Sequence, residues 1–355
     1  MSLLDRLKAE IATAGPMGVA DYMNRCLHDP ASGYYATWPA IGEDGDFVTA
    51  PMVSQMFGEL IGLWAVETWR RLGDPARVLL VEAGPGTGTL MVDALRAARL
   101  APHFIAAAEL WLIETSAQLI CHQKVALAES PLAPHWVDGL SDLPDDAPVL
   151  LVANELLDCL AADQLVRTEA GWAERRVGLN DQGDLVFGLA PLLDRPGAIE
   201  APIGAVVEIS PAQQAFGAQL GERVARRGGA ALLIDYGRDE PGFGDTLQAL
   251  KRHQRVDPLG CPGEADLTVH ADFPAVLGAA RAANASTAIL TQGEFLRRLG
   301  IEQRAAALAK ARPDQAPRIG RQLERLIGDD QMGLLFKAAC IHSAGLAPPG
   351  FEGSA

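Results

Sequence analysis

"VLLVEAGPGTGTL" runs from Val78 to Leu90. Four apolar residues lead to an acid, Glu82, and three glycines follow at alternate positions, Gly84, Gly86 and Gly88, with Pro85 between the first two. A continuous apolar run of this kind reads as a strand covered on both faces. The next stretch, "TLMVDALRAARL" (89–100), reads as a helix. Strand, glycine-rich turn and helix together make a nucleotide-like cradle. Glycine lets backbone pass close to a ligand, and a helix N-terminus offers unpaired N–H groups. The spacing is neither the G-x-G-x-x-G of dinucleotide folds nor the G-x-x-x-x-G-K-[ST] of a P-loop.

Outward from this turn, strand-like runs alternate with helical stretches. "LWLIET" (110–115), "PHWVDG" (134–139), "PVLLVANE" (148–155) and "GGAALLIDYG" (228–237) continue the series, and "STAILTQ" (286–292) and "QMGLLFKAACIH" (331–342) read as later strands. Runs of this texture predict an α/β fold, a mostly parallel sheet with helices on both faces. Residues 160–202 break the pattern: they alternate and carry turn signals, which predicts an antiparallel insertion. At the N-terminus, Ser2 and Asp5 read as a capping box for a helix with Leu3, Leu7 and Ile11 on one face. Residues 28–51 read as a long loop that covers something. Ser54 caps a helix to about Leu72, with Phe57, Leu60, Ile61, Trp64 and Thr68 on one side. Three regions are expected: a helical cap with a covering loop over 1–75, a core over 76–345 and a flexible tail over 346–355.

The bulk composition excludes several classes. The 355 residues are 49% hydrophobic and carry a formal net charge of −15, which does not suit a nucleic-acid binder. Five scattered cysteines without C-x-x-C spacing give no zinc site or redox dithiol and suit a reducing compartment. No apolar run approaches the ~20 residues of a membrane span, and the N-terminus is too charged for a signal peptide. The expectation is a bacterial cytoplasmic protein with no metal and no membrane insertion. The oligomeric state is open, a homodimer being one option.

In an open α/β sheet, ligands lie beyond the carboxyl ends of the strands. Glu114 ends the second strand, where an acid reaches ribose hydroxyls, and Asp138 ends the third, near where adenine is contacted. Glu82 has two readings, binding through a water or holding the turn. "ANELLDC" puts Asn154, Glu155 and Asp158 at the end of the fourth strand. Paired carboxylates there fit a guanidinium, which arrives charged and pairs with carboxylates bidentately. The competing reading is capping, with Asn154 as N-cap of a following helix. His253, read as lying on a helix, Asp235, read as ending the fifth strand, and the walling pair Tyr34 and Tyr35 are further candidates, and His28 is read as ordering its loop.

The E-x-G-P-G-T-G stretch resembles motif I of class I (Rossmann-like) methyltransferases, which bind S-adenosylmethionine. More widely, the chain resembles the MidA family of such methyltransferases, which includes the mitochondrial complex I assembly factor that methylates a protein arginine. The match is carried by "HDPASGYY" (28–35), "GDFVTAP" (45–51), "SQMFGE" (54–59), "EAGPGTGTL" (82–90), "ANELLD" (153–158) and "LLIDYG" (232–237). "DTLQALKRHQ" (245–254), "PGEADLTVHADF" (262–273), "TQGEFL" (291–296) and "MGLLFK" (332–337) complete it. The resemblance implies a cofactor held by Glu82, Gly84, Pro85, Gly86, Gly88, Glu114 and Asp138, with Asp46 and Thr49 closing over it. It implies methylation of an arginine on a partner protein, a complex I subunit among the targets, with Asn154, Glu155 and Asp158 near the acceptor. A non-catalytic cofactor-binding assembly chaperone and an NAD-dependent oxidoreductase are the alternatives. The sequence departs from the family at Ala50 and Met52, and at Asp163, where the family has a histidine. These departures bear on the acceptor, not on the cofactor.

Overall fold

The computed structural model describes residues 1–37, 49–192 and 200–353. Contacts group them into two units, each assembled from separate stretches of chain.

The larger unit holds the predicted sheet. Its strands are β1 (Val78–Ala83), β2 (Ala108–Ile113), β3 (Pro134–Val137), β4 (Val149–Asn154), β5 (Gly229–Arg238), β6 (Ser286–Thr291) and β7 (Phe336–His342), in the spatial order β6-β7-β5-β4-β1-β2-β3. Neighbours from β3 across to β5 are parallel, and β7 runs antiparallel between β5 and β6. All six residues of β1 are buried, as the unbroken apolar run requires of a strand covered on both faces. From β1 the chain proceeds outward through β2 and β3, then returns to place β4 on the other side of β1. That reversal is the topological switch point, where ligands of open α/β sheets sit.

Helix Gln55–Arg71 packs on helix Thr89–Ala98, the helix that follows the glycine turn. Their closest approach runs over Gly62: a Cβ there would lie 2.2 Å from the carbonyl oxygen of Ala94. Ser54 caps the first of these helices through the Met56 N–H, and Phe57, Leu60, Ile61, Trp64 and Thr68 are buried as expected. Buried Glu59 on this helix accepts from Arg304 at 2.7 and 3.0 Å and from Arg96 at 3.0 Å. This tethers helix Ile301–Ala311, which the sequence reading did not distinguish, and the glycine-turn helix to one carboxylate. Two expectations for the end of the chain change. Residues Met332–Leu335 form a helical turn before β7, so the strand begins at Phe336. Phe351, expected in a loose tail, is buried with its ring centroid 5.0 Å from that of Phe295.

The smaller unit contains the capping-box helix Leu3–Ala14, with Leu3, Leu7 and Ile11 buried, and helix Val19–His28. The insertion is antiparallel as read: Asp163–Thr168, Gly171–Leu179 and Leu185–Pro191 pair in a sheet that Val206–Ile209 and Met17–Gly18 complete. A second, three-stranded sheet contains Gln248–Lys251, Gln254–Val256 and Asp266–Thr268. Among the described residues, no helix is long and apolar enough to cross a membrane.

Candidate functional site

The turn after β1 adopts the backbone that its glycines permit. Gly84, Gly86 and Gly88 have φ of 68°, 53° and 83°, a region costly for any residue with a Cβ. Gly84 N–H donates to Ile113 O at 3.1 Å and Gly88 N–H to Pro85 O at 2.8 Å, which closes the turn against β2. Space is short as well. A Cβ at Gly84 would come 3.0 Å from Leu156 Cδ1. The strand, the turn and the N-terminus of helix Thr89–Ala98 therefore form a bare-backbone cradle beside the switch point.

Glu82 is 2% exposed at the end of β1, and among the described residues its Oε2 has no hydrogen-bond partner. Burial alone pushes its carboxyl up to about 8. A buried orphan acceptor is costly unless something pairs with it. An incoming N–H or O–H donor would remove that cost, and the position is where the cofactor reading asks for one.

Glu114 directly follows β2 and is buried. Its Oε1 accepts from Ser116 N–H at 2.8 Å and its Oε2 from Gln123 Nε2 at 3.0 Å. Burial raises its pKa, and these donors pull against the rise. Gln123 was missed by sequence reasoning. It is fully buried, and its amide also donates to Gly86 O at 2.8 Å and accepts from Trp136 Nε1 at 2.8 Å. Helix Ala117–Ala126, which carries it, has no clear amphipathic stripe, so periodicity gave no signal; a polar residue nearly two turns into the helix after a ribose-type acid was the available clue. Asp138 lies just past β3, as expected, and is exposed.

At the end of β4, Asn154 closes the strand and Glu155 follows with φ 53°, an uncommon backbone for a residue with a side chain. Glu155 N–H donates to Ile234 O at 2.8 Å, which anchors the bend to β5. Glu155 Oε1 accepts from Asn154 Nδ2 at 3.0 Å and from Ala50 N–H at 3.1 Å. Asn154 Oδ1 is buried without a hydrogen-bond partner among the described residues. The capping alternative is thus corrected in its particulars. No helix begins directly after Asn154, and Glu155 caps a different one, the short helix Ala50–Val53, whose N-cap residue is Thr49. Ala50, one of the departures from the family pattern, contributes through its backbone.

The remaining candidates separate. Asp46 lies outside the described residues. Asp158 belongs to the smaller unit, buried, with its carbonyl accepting from Val269 N–H at 2.9 Å. Asp163, standing where the family has histidine, accepts from Ala20 N–H at 3.1 Å and so caps helix Val19–His28, whose own N-cap residue, Gly18, has no side chain to do so. His28 stacks on Tyr35 at 5.6 Å between ring centroids, and Tyr35 Oη donates to Asp266 at 3.2 Å. His253 is not on a helix. It is exposed at the turn between strands Gln248–Lys251 and Gln254–Val256, where Arg252 and His253 have φ of 52° and 60°, the signature of a tight hairpin. Asp235 sits inside β5 rather than at its end, with its carboxylate accepting from Tyr236 N–H at 2.8 Å.

Comparison with known proteins agrees with the cradle. Residues 60–291 match a family model described as "Putative S-adenosyl-L-methionine-dependent methyltransferase". The chain is 33% identical to the Drosophila melanogaster mitochondrial protein arginine methyltransferase NDUFAF7 homolog over 95% of its length and 84% of that protein. It is 35% identical to the Bos taurus mitochondrial protein arginine methyltransferase NDUFAF7, over 90% of this chain and 78% of that one. Among solved structures, a Burkholderia thailandensis protein bound to S-adenosyl-homocysteine superimposes with a TM-score of 0.88 at 30% identity, covering 99% of this chain and 95% of that one. The NAD-dependent alternative falls with these matches. S-adenosyl-L-methionine is the cofactor, and the bare backbone of the glycine turn, with the buried Glu82 Oε2 that has no hydrogen-bond partner among the described residues, suits it.

Proposed function

We propose that this chain, which belongs to the S-adenosyl-L-methionine-dependent methyltransferase family matched above, methylates a guanidinium nitrogen of an arginine in a partner protein. The observation that carries this reading is the end of β4. Glu155 is held there in left-handed backbone, and beside it Asn154 Oδ1 is buried with no hydrogen-bond partner among the described residues. Backbone strain of this kind costs about 1–3 kcal/mol and persists where the surroundings hold it for function.

Glu82, Gly84, Gly86, Gly88 and Glu114 would hold the cofactor. When bound, it supplies an electrophilic methyl group. The rest falls to the chain. Asn154 Oδ1 is an acceptor and invites an N–H donor, which a guanidinium offers five times over. The Glu155 carboxylate orients one guanidinium nitrogen and takes its proton as that nitrogen gains a methyl group. A guanidinium pKa above about 12 forbids removing the proton beforehand, so base and nucleophile must be aligned when the bond forms. Asn154 and Glu155 sit on β4 and the glycine turn on β1, adjacent strands on the two sides of the switch point. The relatives, protein arginine methyltransferases, support arginine as the acceptor, and the family resemblance points to a respiratory complex I subunit as its carrier.

The test is incubation of the protein with isotopically labelled S-adenosylmethionine and whole-cell extract, followed by mass-spectrometric mapping of the label. Label on an arginine, lost with Glu155→Gln, supports the reading. Label on another residue type overturns it. Absence of any label, with S-adenosyl-homocysteine still bound, favours the assembly-chaperone alternative.

A further inference from the structure

Gln123 uses its amide to full effect, and the geometry leaves no freedom in how. Trp136 Nε1–H can only donate, so the atom 2.8 Å from it must be the Gln123 oxygen. The amide nitrogen then faces two acceptors, Gly86 O at 2.8 Å and Glu114 Oε2 at 3.0 Å, and spends one N–H on each. One side chain, fully buried, therefore ties the glycine turn after β1 to the acid after β2. The other carboxylate oxygen of Glu114 is fixed by Ser116 N–H at 2.8 Å. Trp136 is in turn steadied by Lys124, whose Nζ lies 5.3 Å from the ring centroid.

We propose that Gln123, oriented by Trp136, is a positioning residue that sets the cofactor's ribose selectivity, by locking the Glu114 carboxylate to the turn in one orientation. The idea is independent of the acceptor proposed above. Without the amide, Glu114 can rotate, and its remaining acceptor directions no longer point one way. The loss should fall on a ligand with both ribose hydroxyls and spare one without them.

The probes are S-adenosyl-homocysteine and its 2′-deoxyribose analogue, titrated calorimetrically into the full chain. Gln123→Met, of similar length, should weaken the ribose form about tenfold, the scale of one hydrogen bond to a charged group, and leave the deoxy form nearly unchanged. Gln123→Glu, when protonated, has one O–H for Glu114 Oε2 and no second donor for Gly86 O, so part of its ribose preference should survive at pH 5 and vanish by pH 8, unlike that of wild type. Trp136→Phe, at a half-buried site, should shrink the preference by a smaller factor. Should Gln123→Met fail to fold by circular dichroism, the other two variants decide. Equal losses for both probes, or an unchanged ratio in the folded variants, would overturn the proposal.

Discussion

The carboxylate of Glu155 accepts a hydrogen bond from the backbone N–H of Ala50 at 3.1 Å, across 105 residues of sequence. An acid at the end of a central strand thereby caps the short helix Ala50–Val53 while also gripping the amide of Asn154. The same oxygen serves both donors, so shape and charge at this position can be separated.

Glu155→Gln retains an oxygen acceptor for both donors and removes the negative charge. The melting temperature should change little. Methyl transfer should fall about 10²–10⁴-fold, the range for loss of a general base, while S-adenosyl-homocysteine affinity stays within about threefold. Single-turnover kinetics alongside calorimetry checks both halves, and an unimpaired rate would remove Glu155 from the chemistry.

Glu82 predicts a pH dependence with a definite sign. Its folded carboxyl titrates at about 8, against 4.5 for an ordinary glutamate. Between those values the folded protein keeps a proton that the unfolded chain has released. Stability is therefore present in full below the ordinary value and declines as pH rises toward 8, by about 1.4 kcal/mol per unit at most. Glu82→Gln stays neutral throughout. Denaturant titrations of ligand-free protein at pH 5 and pH 8 should show a smaller loss for the variant than for wild type, and identical losses would contradict the assignment.

The two outer glycines of the turn should not be equally tolerant. Gly84→Ala meets both a positive φ and Leu156 Cδ1 at 3.0 Å, whereas Gly88→Ala meets nothing closer than 3.6 Å. Backbone strain alone is worth about 1–2 kcal/mol. Gly88→Ala should show that loss, and Gly84→Ala a larger one together with weaker S-adenosyl-homocysteine binding. Trimming the neighbour in Gly84→Ala/Leu156→Ala should restore binding in part.

Glu59→Gln tests the ion cluster behind the cradle. Arg304 loses its charged partner, and Arg96 keeps only Asp93, 2.8 Å away. Because Arg96 and Arg304 are 46% and 39% exposed, water compensates in part, and the cost should be about 1–3 kcal/mol rather than that of a fully buried pair. Chemical denaturation should show it, with cofactor affinity unmoved.

The strands were legible because burial on both faces writes itself as unbroken apolar runs, as in "VLLVEA" and "ALLIDY". The cradle was legible because three left-handed positions demand glycine, and Glu114 because it ends the next strand. Gln123 was not, since its role depends on Trp136 arriving from another strand, and a single buried polar residue on a helix has no periodic mark. His253 was misread as helical because the "LKRH" composition suits a helix, while the two left-handed positions of its hairpin are visible only in three dimensions. The competing reading made Asn154 the cap of a helix expected after it; it is Glu155 that caps, and the helix it caps begins 105 residues earlier, a pairing set wholly by tertiary structure.

β7 pairs along its length with β5 on one side and β6 on the other. The strand with the highest residue numbers in the sheet thus fills an interior slot. During synthesis, β5 keeps an unsatisfied row of amides and carbonyls, flanked by mostly apolar side chains, until Phe336–His342 has left the ribosome. An open edge of that kind invites pairing with other chains. Nascent protein should therefore need shielding late in translation, and a chain stopped before Phe336 should precipitate even though every residue of the cofactor cradle has already been made.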